Sequence, residues 1–223
     1  AASVDSGFEG SYELLKAYED DNADFHQVVA EMADIPRSQA KTINLGMFYG
    51  MGKAKLAQQL GIDLEAAKAI LEAYNLKVPF VKMLSNRCMT TADKKGSVVT
   101  IKGRHCRFDR WEPKTFGIHK SMTREEAESK YERGSIKRAM TYKALNRLIQ
   151  GSAADQTKQA MLDCYNNGHR PLLQIHDELC FNIDGKKDEN SIKNQMEHCL
   201  DDVPMKVPSK VDIAIGDNWG EAT

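Results

Sequence analysis

Two groups of residues in this sequence have the types and spacing to do chemistry. Arg37, Lys41, Leu45 and Tyr49 recur every four residues, and on an α-helix that interval stacks them along one slowly drifting face. Two cations, an apolar side chain and a phenol on one face suit a ligand that is anionic at one end and flat at the other, as a nucleoside triphosphate is. A solvated basic helix edge with Tyr49 tucked into a core fits the same spacing. The second group is His176-Asp177-Glu178, adjacent acids set between the apolar runs Leu172–Ile175 and Leu179–Phe181. A tight turn at that point would present a carboxylate rigidly, away from its strands, as a hard oxygen ligand for a divalent cation. A solvated aspartate in a β-turn is the plainer alternative.

A third run, Tyr142-Lys-Ala-Leu-Asn-Arg-Leu-Ile-Gln-Gly151, places Tyr142, Asn146 and Gln150 at i, i+4 and i+8. Amide side chains in such a row can donate and accept at minor-groove base edges, where every base pair shows similar acceptors; a polar helix surface is the alternative. In residue type, order and separation, this run, the stretch Arg37–Gly50 and the stretch Leu172–Phe181 together resemble family A DNA polymerases, the DNA polymerase I type, and most closely their bacteriophage branch. The resemblance covers nearly the whole chain from about residue 11.

The resemblance implies a DNA-directed DNA polymerase that transfers deoxynucleotides from dNTPs to a primer 3′-hydroxyl with two magnesium ions. Asp177 would be a catalytic metal ligand, Glu178 a supporting carboxylate, and His176 a neighbour of the primer terminus. Arg37 and Lys41 would hold the β- and γ-phosphates, with Lys41 also stabilising or protonating the leaving pyrophosphate. Leu45 would lie against the sugar and base, and Tyr49 near the templating pair. His26, two residues after Asp24, matches a histidine that reaches the triphosphate, the alternative being a surface helix histidine. Tyr142, Asn146 and Gln150 would face DNA, and Arg104 and Arg107 are candidates for primer–template phosphates.

Three departures matter. The family usually carries Phe or Tyr where Leu45 stands, so sugar discrimination is where this protein would differ. Many bacterial members have Arg where Tyr142 stands. A second metal-binding aspartate, on a strand followed by Tyr-Ser-Gln-x-Glu, has no match here; Asp5-Ser6-Gly7 lacks both the strand and the Gln-x-Glu. The resemblance therefore implies an upstream polymerase portion bearing the thumb, the rest of the palm and any 3′–5′ exonuclease. Gly216-Asp-Asn-Trp-Gly-Glu-Ala222 resembles the family's usual ending. The rival readings are a non-catalytic subunit or fragment that binds nucleotide or DNA, and a single-subunit RNA polymerase.

These residues need elements to position them. Residues 1–10 are expected to be a disordered segment or linker. Helical periodicity begins near Ser11 (Tyr12, Leu14, Leu15, Tyr18), and Asp24 can cap a helix carrying Val28, Val29 and Met32. Pro36 can start the 37–50 helix, in which Gly46 and Gly50 leave room for close approach. A helix over 53–60 ends at Gly61, Asp63 caps another (Leu64, Ala67, Ile70, Leu71, Tyr74), and one after Pro79 runs to about Thr91. Residues 97–101 and 105–108 read as a hairpin around Lys102-Gly103. Residues 109–133 are polar apart from a capping-box start at Thr123 and Glu126. A long helix is expected over 134–167, then strands at 171–176 and 178–183, a helix over 189–201 and a strand at 211–215. The fold class is α+β: a helical fingers lobe over 11–110, a connecting segment over 111–133, and an incomplete palm over 134–223 with a small antiparallel sheet.

The chain has 223 residues, with 41% hydrophobic and 28% charged content, values of an ordinary soluble protein with an ample core. No run is long and apolar enough to cross a bilayer, so no membrane partner is expected, and the N-terminus does not resemble a signal peptide. The five cysteines are scattered, with no Cys-x-x-Cys; free thiols in a reducing cytoplasm are the expected state, and the phage resemblance implies that of a bacterial host cell if the protein is phage-encoded. The net charge of −1 is unevenly spread, with four cations and no acid over 36–62 and again over 134–150, and six cations against Asp109 and Glu112 over 100–120. Basic segments of this kind attract a phosphate backbone through counterion release, although three solvated faces would have the same composition.

Overall fold

The computed structural model of the chain describes residues 12, 15–16, 24, 26–27, 30–31, 35–49, 51–115 and 120–222. The expectations for residues 1–10, for Leu14, Tyr18, Val28, Val29 and Met32, and for Gly50 lie outside them. The architecture is α+β, rich in helix, with three two-stranded antiparallel sheets among the described residues. The chain divides into two compact units, Ala1–Ile149 and Gln150–Thr223.

In the first unit, α1 (Arg37–Phe48), α2 (Lys53–Leu60), α3 (Leu64–Lys77) and α4 (Pro79–Lys95) follow one another closely. Local chemistry sets most of their ends. The Pro36 carbonyl accepts the Ala40 N–H at 3.0 Å, so proline stands just before the first helical residue. Gly61 takes a left-handed conformation after α2, and the Asp63 side chain accepts the Ala66 N–H at the start of α3; both are standard stop and start devices. The helix after Pro79 runs past the expected Thr91 to Lys95, because Gly96 (φ +75°) is where the chain can turn left-handed and return its N–H to Ala92. Apolar faces of these helices meet in one core of Ala40, Ile43, Leu56, Ala67, Tyr74, Val78, Phe80 and Val81.

The expected hairpin forms, shorter than read, as β1 (Ser97–Val99) against β2 (His105–Arg107) with Val98 opposite Cys106. The segment expected to be irregular holds α5 (Arg124–Lys130), started by the full Thr123/Glu126 capping box, and also a strand, β3 (Trp111–Pro113). Here the reading of 134–167 as one helix is corrected. Residues 136–138 are β4, paired with β3 in the register Trp111↔Arg138, Glu112↔Lys137, Pro113↔Ile136. Short 3₁₀ turns lie on either side, and α6 begins only at Ala144 and runs to Asn166. Ile136 is buried with Met122 and Ala127, and Trp111 and Tyr131 pack against them. Burying that face outweighs the segment's helical propensity, and Met140 at φ 59° sits outside the α region.

Arg138 ties this corner together. Its Nε donates to the Asp93 carbonyl at 3.1 Å and its Nη1 to the Phe108 carbonyl at 2.8 Å, while its guanidinium lies 4.8 Å from the Trp111 ring centroid. A Cβ on Gly96 would come within 2.8 Å of that guanidinium. Arg138→Ala is expected to cost roughly 2–3 kcal/mol, from charge-assisted hydrogen bonds and the ring contact. Gly96→Ala is expected to cost about 1–2 kcal/mol from the left-handed backbone, plus displacement of the guanidinium. Urea unfolding measures both; losses under ~0.5 kcal/mol, typical of uninvolved surface positions, would show that the corner does not stabilise the fold.

In the second unit the strands expected at 171–176 and 178–183 form as β5 (Leu173–Ile175) and β6 (Glu178–Cys180), paired Leu173↔Cys180 and Ile175↔Glu178. α6 ends at Asn166 before Gly168, as read, and α7 (Lys186–His198) starts earlier than the expected 189. Ala160, Cys164, Ile192, Cys199 and Leu200 are buried, and burial pushes the Cys164 thiol up to about 11. All five cysteines are free thiols. The expected strand over 211–215 does not form. Its alternation is right, but a strand needs a neighbour's N–H and C=O groups. Instead the Val211 N–H donates to the Glu197 carboxylate at 3.3 Å.

Candidate active site

The cationic stripe is real and solvent-facing. Arg37, Lys41, Leu45 and Tyr49 are all exposed along α1 and the turn that follows it, while Ala40, Ile43 and Asn44 on the other side are fully buried. Tyr49 is 54% exposed, so its ring is not tucked into a core. Leu45 and Tyr49, with Thr42, Gly46, Lys55 and Gln59, line a groove of about 480 Å³ between α1 and α2. Lys55 and Gln59 were not singled out from sequence, because only the packing of α2 beside α1 brings them there. The expected close approach at Gly46 is made from within the chain: a Cβ there would overlap the Met51 side chain.

Arg37 and Lys41 differ in circumstance. The Arg37 Nε donates to Asp24 Oδ2 at 2.8 Å and Nη2 donates to the same oxygen, whereas Asp24 Oδ1 accepts the His26 N–H at 2.8 Å and the Gln27 N–H at 3.3 Å. Asp24 is thus the cap that was expected and, beyond that, the anchor of the first turn of α1. The Arg37 guanidinium and these N–H groups hold the Asp24 carboxyl below the usual carboxylate range. A depressed folded pKa means the tie contributes above the unfolded carboxylate range and lapses only as pH falls through the folded value. Lys41 has no carboxylate partner among the described residues.

His26 is half-buried and is held from the α1 side. Its Nδ1 is 3.2 Å from the Asn44 Nδ2, and the Asn44 Oδ1 accepts the Tyr74 hydroxyl. Asn44 and Tyr74 are both fully buried. Burial raises the Tyr74 pKa well above the ordinary phenol value, so the hydroxyl keeps its proton. Neither residue was a candidate from sequence: Tyr74 reads as a core position of α3, and its partner lies 30 residues away.

The other group sits in the second unit. His176 and Asp177 form the two-residue turn between β5 and β6. His176 lies at φ 53°, a conformation that costs a non-glycine residue about 1–2 kcal/mol. The Gln174 Nε2 donates to the His176 carbonyl, two residues on, at 2.6 Å. Asp177 is exposed at the apex. Glu178, the first residue of β6, accepts the Trp219 indole N–H on Oε1 at 2.8 Å and the Cys180 thiol at 3.6 Å. Trp219 is thereby tied to the first residue of β6, next to the turn.

The remaining candidates are more dispersed. Tyr142 lies in the 3₁₀ turn Thr141–Lys143, and only Asn146 and Gln150 are on the α-helix, one turn apart. The row of three on a single helix is corrected to that extent. Tyr142 is 47% exposed, with the Lys143 ammonium 5.7 Å from its ring centroid. Arg104 and Arg107 are exposed at and beside β2. The Arg107 carbonyl accepts Arg147 Nη1 at 2.6 Å, and the Arg147 guanidinium lies 4.5 Å from the Phe108 ring centroid. That pairing docks the start of α6 on the hairpin.

The donor chemistry of Asp177 and Glu178 suits magnesium, which takes carboxylate oxygens and keeps several waters. Two adjacent carboxylates do not complete a two-ion site, and among the described residues no three His, Cys, Asp or Glu side chains are grouped to hold a metal. No step through a metal follows from these residues alone.

The first unit thus carries an exposed cationic helix face, and the second an acid at a hairpin apex. The solved POL domain of Pol1 from M. smegmatis, in complex with DNA primer-template and dNTP, matches with a TM-score of 0.73 and 30% identity, covering 94% of this chain and 36% of that one. The chain belongs to DNA polymerase family A, whose family model matches residues 7–221. Similar curated proteins include the DNA-directed DNA polymerase of Pseudomonas phage M6, 35% identical across 91% of this chain and 32% of its own length. The thermostable DNA polymerase I of Thermus aquaticus is 30% identical across 94% and 24%, and the DNA polymerase of Mycobacterium phage L5 is 29% identical across 82% and 26%. The chain thus spans about a third or less of each of these relatives.

Proposed function

We propose that this chain is the nucleotide-binding fingers and part of the palm of a DNA-directed DNA polymerase, working by template-dependent deoxynucleotidyl transfer with two magnesium ions. The observation that supports this best is the α1 face, which presents Arg37, Lys41, Leu45 and Tyr49 to solvent in register in a member of a polymerase family. Arg37 and Lys41 receive the β- and γ-phosphates of a dNTP, and Lys41 stabilises the departing pyrophosphate as clamp or general acid. Arg37 either keeps Asp24 and binds phosphate through its remaining N–H groups, or exchanges the carboxylate for it. Leu45 lies against the sugar and base, Tyr49 beside the templating pair, and His26 reaches the triphosphate. Tyr142, Asn146, Gln150, Arg104 and Arg107 contact primer–template, with His176 near the primer end.

Asp177 supplies one magnesium ligand, and Glu178, steadied by Trp219, supports it. Bound ions would lower the barrier to phosphoryl displacement by neutralising charge. The ligands that complete their site belong to an upstream polymerase portion, as do the thumb and any exonuclease, whether in the same polypeptide or another. Leu172 and Leu173, beside and within β5, are exposed apolar residues, and that portion would cover them and extend the sheet. By itself the chain is a non-catalytic binder of nucleotide or DNA. Among the described residues no helix is long and apolar enough to cross a membrane. If the protein is phage-encoded, as its similarity to phage polymerases suggests, its place of work is the cytoplasm of a bacterial host.

Substitutions on α1 test the assignment. In enzyme complemented with the upstream portion, Lys41→Ala and Arg37→Ala are each expected to remove contacts worth roughly 1.5–3 kcal/mol toward nucleotide. Lys41→Ala is expected to lower kcat the more. Normal nucleotide KM and kcat with weakened primer–template affinity would reassign α1 to DNA binding.

A further inference from the structure

We propose that Asn44 and Tyr74 are positioning residues that fix the tautomer of His26, so that neutral His26 carries its proton on Nε2. The inference extends the reading of His26 as a triphosphate-facing residue and rests on it for its functional meaning. Its structural part stands on geometry alone. The Tyr74 phenol is fully buried, and its hydroxyl has Asn44 Oδ1 as acceptor. That contact commits the oxygen side of the Asn44 amide to Tyr74, which leaves the NH₂ side facing His26 Nδ1 at 3.2 Å. An NH₂ can only donate, so Nδ1 must be the unprotonated, accepting nitrogen of the neutral ring.

The opposite arrangement is disfavoured by the same chain of contacts. If the amide were turned over, its oxygen could accept from an Nδ1–H, but the buried Tyr74 hydroxyl proton would then lose its acceptor. Buried polar groups are rarely left in that state. A core hydroxyl on α3 therefore determines, through one amide on the buried side of α1, which nitrogen of a half-buried histidine bears the proton. The consequence for ligand chemistry is specific. A donating Nε2–H suits an anionic oxygen such as a phosphate, and would not suit a ligand offering a hydrogen-bond donor. The cationic face of α1 and the donor on His26 then favour the same ligand class.

The test is ¹⁵N NMR of the 223-residue chain labelled at histidine, with His26 assigned by its loss in His26→Gln. The wild type is expected to show His26 predominantly as the Nε2–H tautomer. Asn44→Asp puts a carboxylate, which only accepts, between the two partners, and is expected to invert the ring to predominantly Nδ1–H. Tyr74→Phe removes the hydroxyl that orients the amide and is expected to shift the population toward Nδ1–H. Backbone amide spectra report that each variant is folded, and either variant alone suffices. An Nδ1–H tautomer in the wild type, or an unchanged tautomer in a folded variant, overturns the proposal. All of these readings are made without ligand. Addition of dATP and magnesium separately asks whether the His26 Nε2 signal moves; a static signal counts against the triphosphate role and so against the nucleotide reading, while the tautomer result stands or falls by itself.

Discussion

In primer extension the 223-residue chain alone is expected to incorporate no nucleotide, whereas the chain combined with the upstream portion of a related phage polymerase, or of its own polypeptide, is expected to extend a primer. In the active combination Asp177→Ala is expected to lower the rate by roughly 10³-fold or more, since loss of a single preorganised electrostatic group already costs on the order of 10²–10³. The expectation follows from the acidic turn. Asp177 is exposed at the apex of β5–β6, but it and Glu178 are too few ligands for the pair of ions that a nucleotidyl transfer uses. Template-dependent incorporation by the pure chain, lost in Asp177→Ala, would show that a substitute carboxylate lies within residues 1–223, with Asp5 the first to replace. Extension by the combination that survives Asp177→Ala would remove this turn from the chemistry altogether.

In the same complemented enzyme, the ratio of kcat/KM for deoxy- over dideoxynucleotide is expected to fall by about ten- to a hundred-fold in Leu45→Tyr. Leu45 is 43% exposed on α1 and lines the groove beside Tyr49, so a larger ring can be placed there without displacing core. In a closed site the 3′-hydroxyl of a bound deoxynucleotide satisfies nearby polar groups, including its own phosphate. A dideoxynucleotide leaves that space without a donor, and leucine cannot supply one. A tyrosine hydroxyl reaches about the same place, and a buried polar group left unpaired costs ~1–3 kcal/mol. The wild type is accordingly expected to reject chain terminators. An unchanged ratio would mean that Leu45 does not face the sugar, and the register given to α1 would have to be redrawn.

Much of the candidate site was legible without coordinates because it is written in local code. The interval of four that puts Arg37, Lys41, Leu45 and Tyr49 on one face is a property of the helix itself. So are the Asp24 and Asp63 caps, the Gly61 stop, and the Thr123/Glu126 capping box, each of which needs only residues within a few positions. The His176-Asp177 turn belongs to the same class, since two apolar runs separated by two residues have few ways to close.

Contacts between residues far apart in the chain decided the rest. Residues 134–143 contain nothing that forbids a helix, and they became β4 and two 3₁₀ turns because β3, more than twenty positions earlier, offers backbone partners and a place to bury Ile136. Residues 211–215 alternate as a strand does and remain outside any ladder, because alternation describes a face and cannot supply the neighbour that makes a sheet. Arg37 looks from sequence like an unencumbered cation; Asp24, 13 residues away, holds its guanidinium. Asn44 and Tyr74 look like filler in two amphipathic helices until packing brings them into line with His26. Propensity and spacing act over a turn or a hairpin, so they determine which side chains share a face. Which distant group completes each hydrogen bond, and therefore what state each side chain is held in, is settled only when the helices and strands pack.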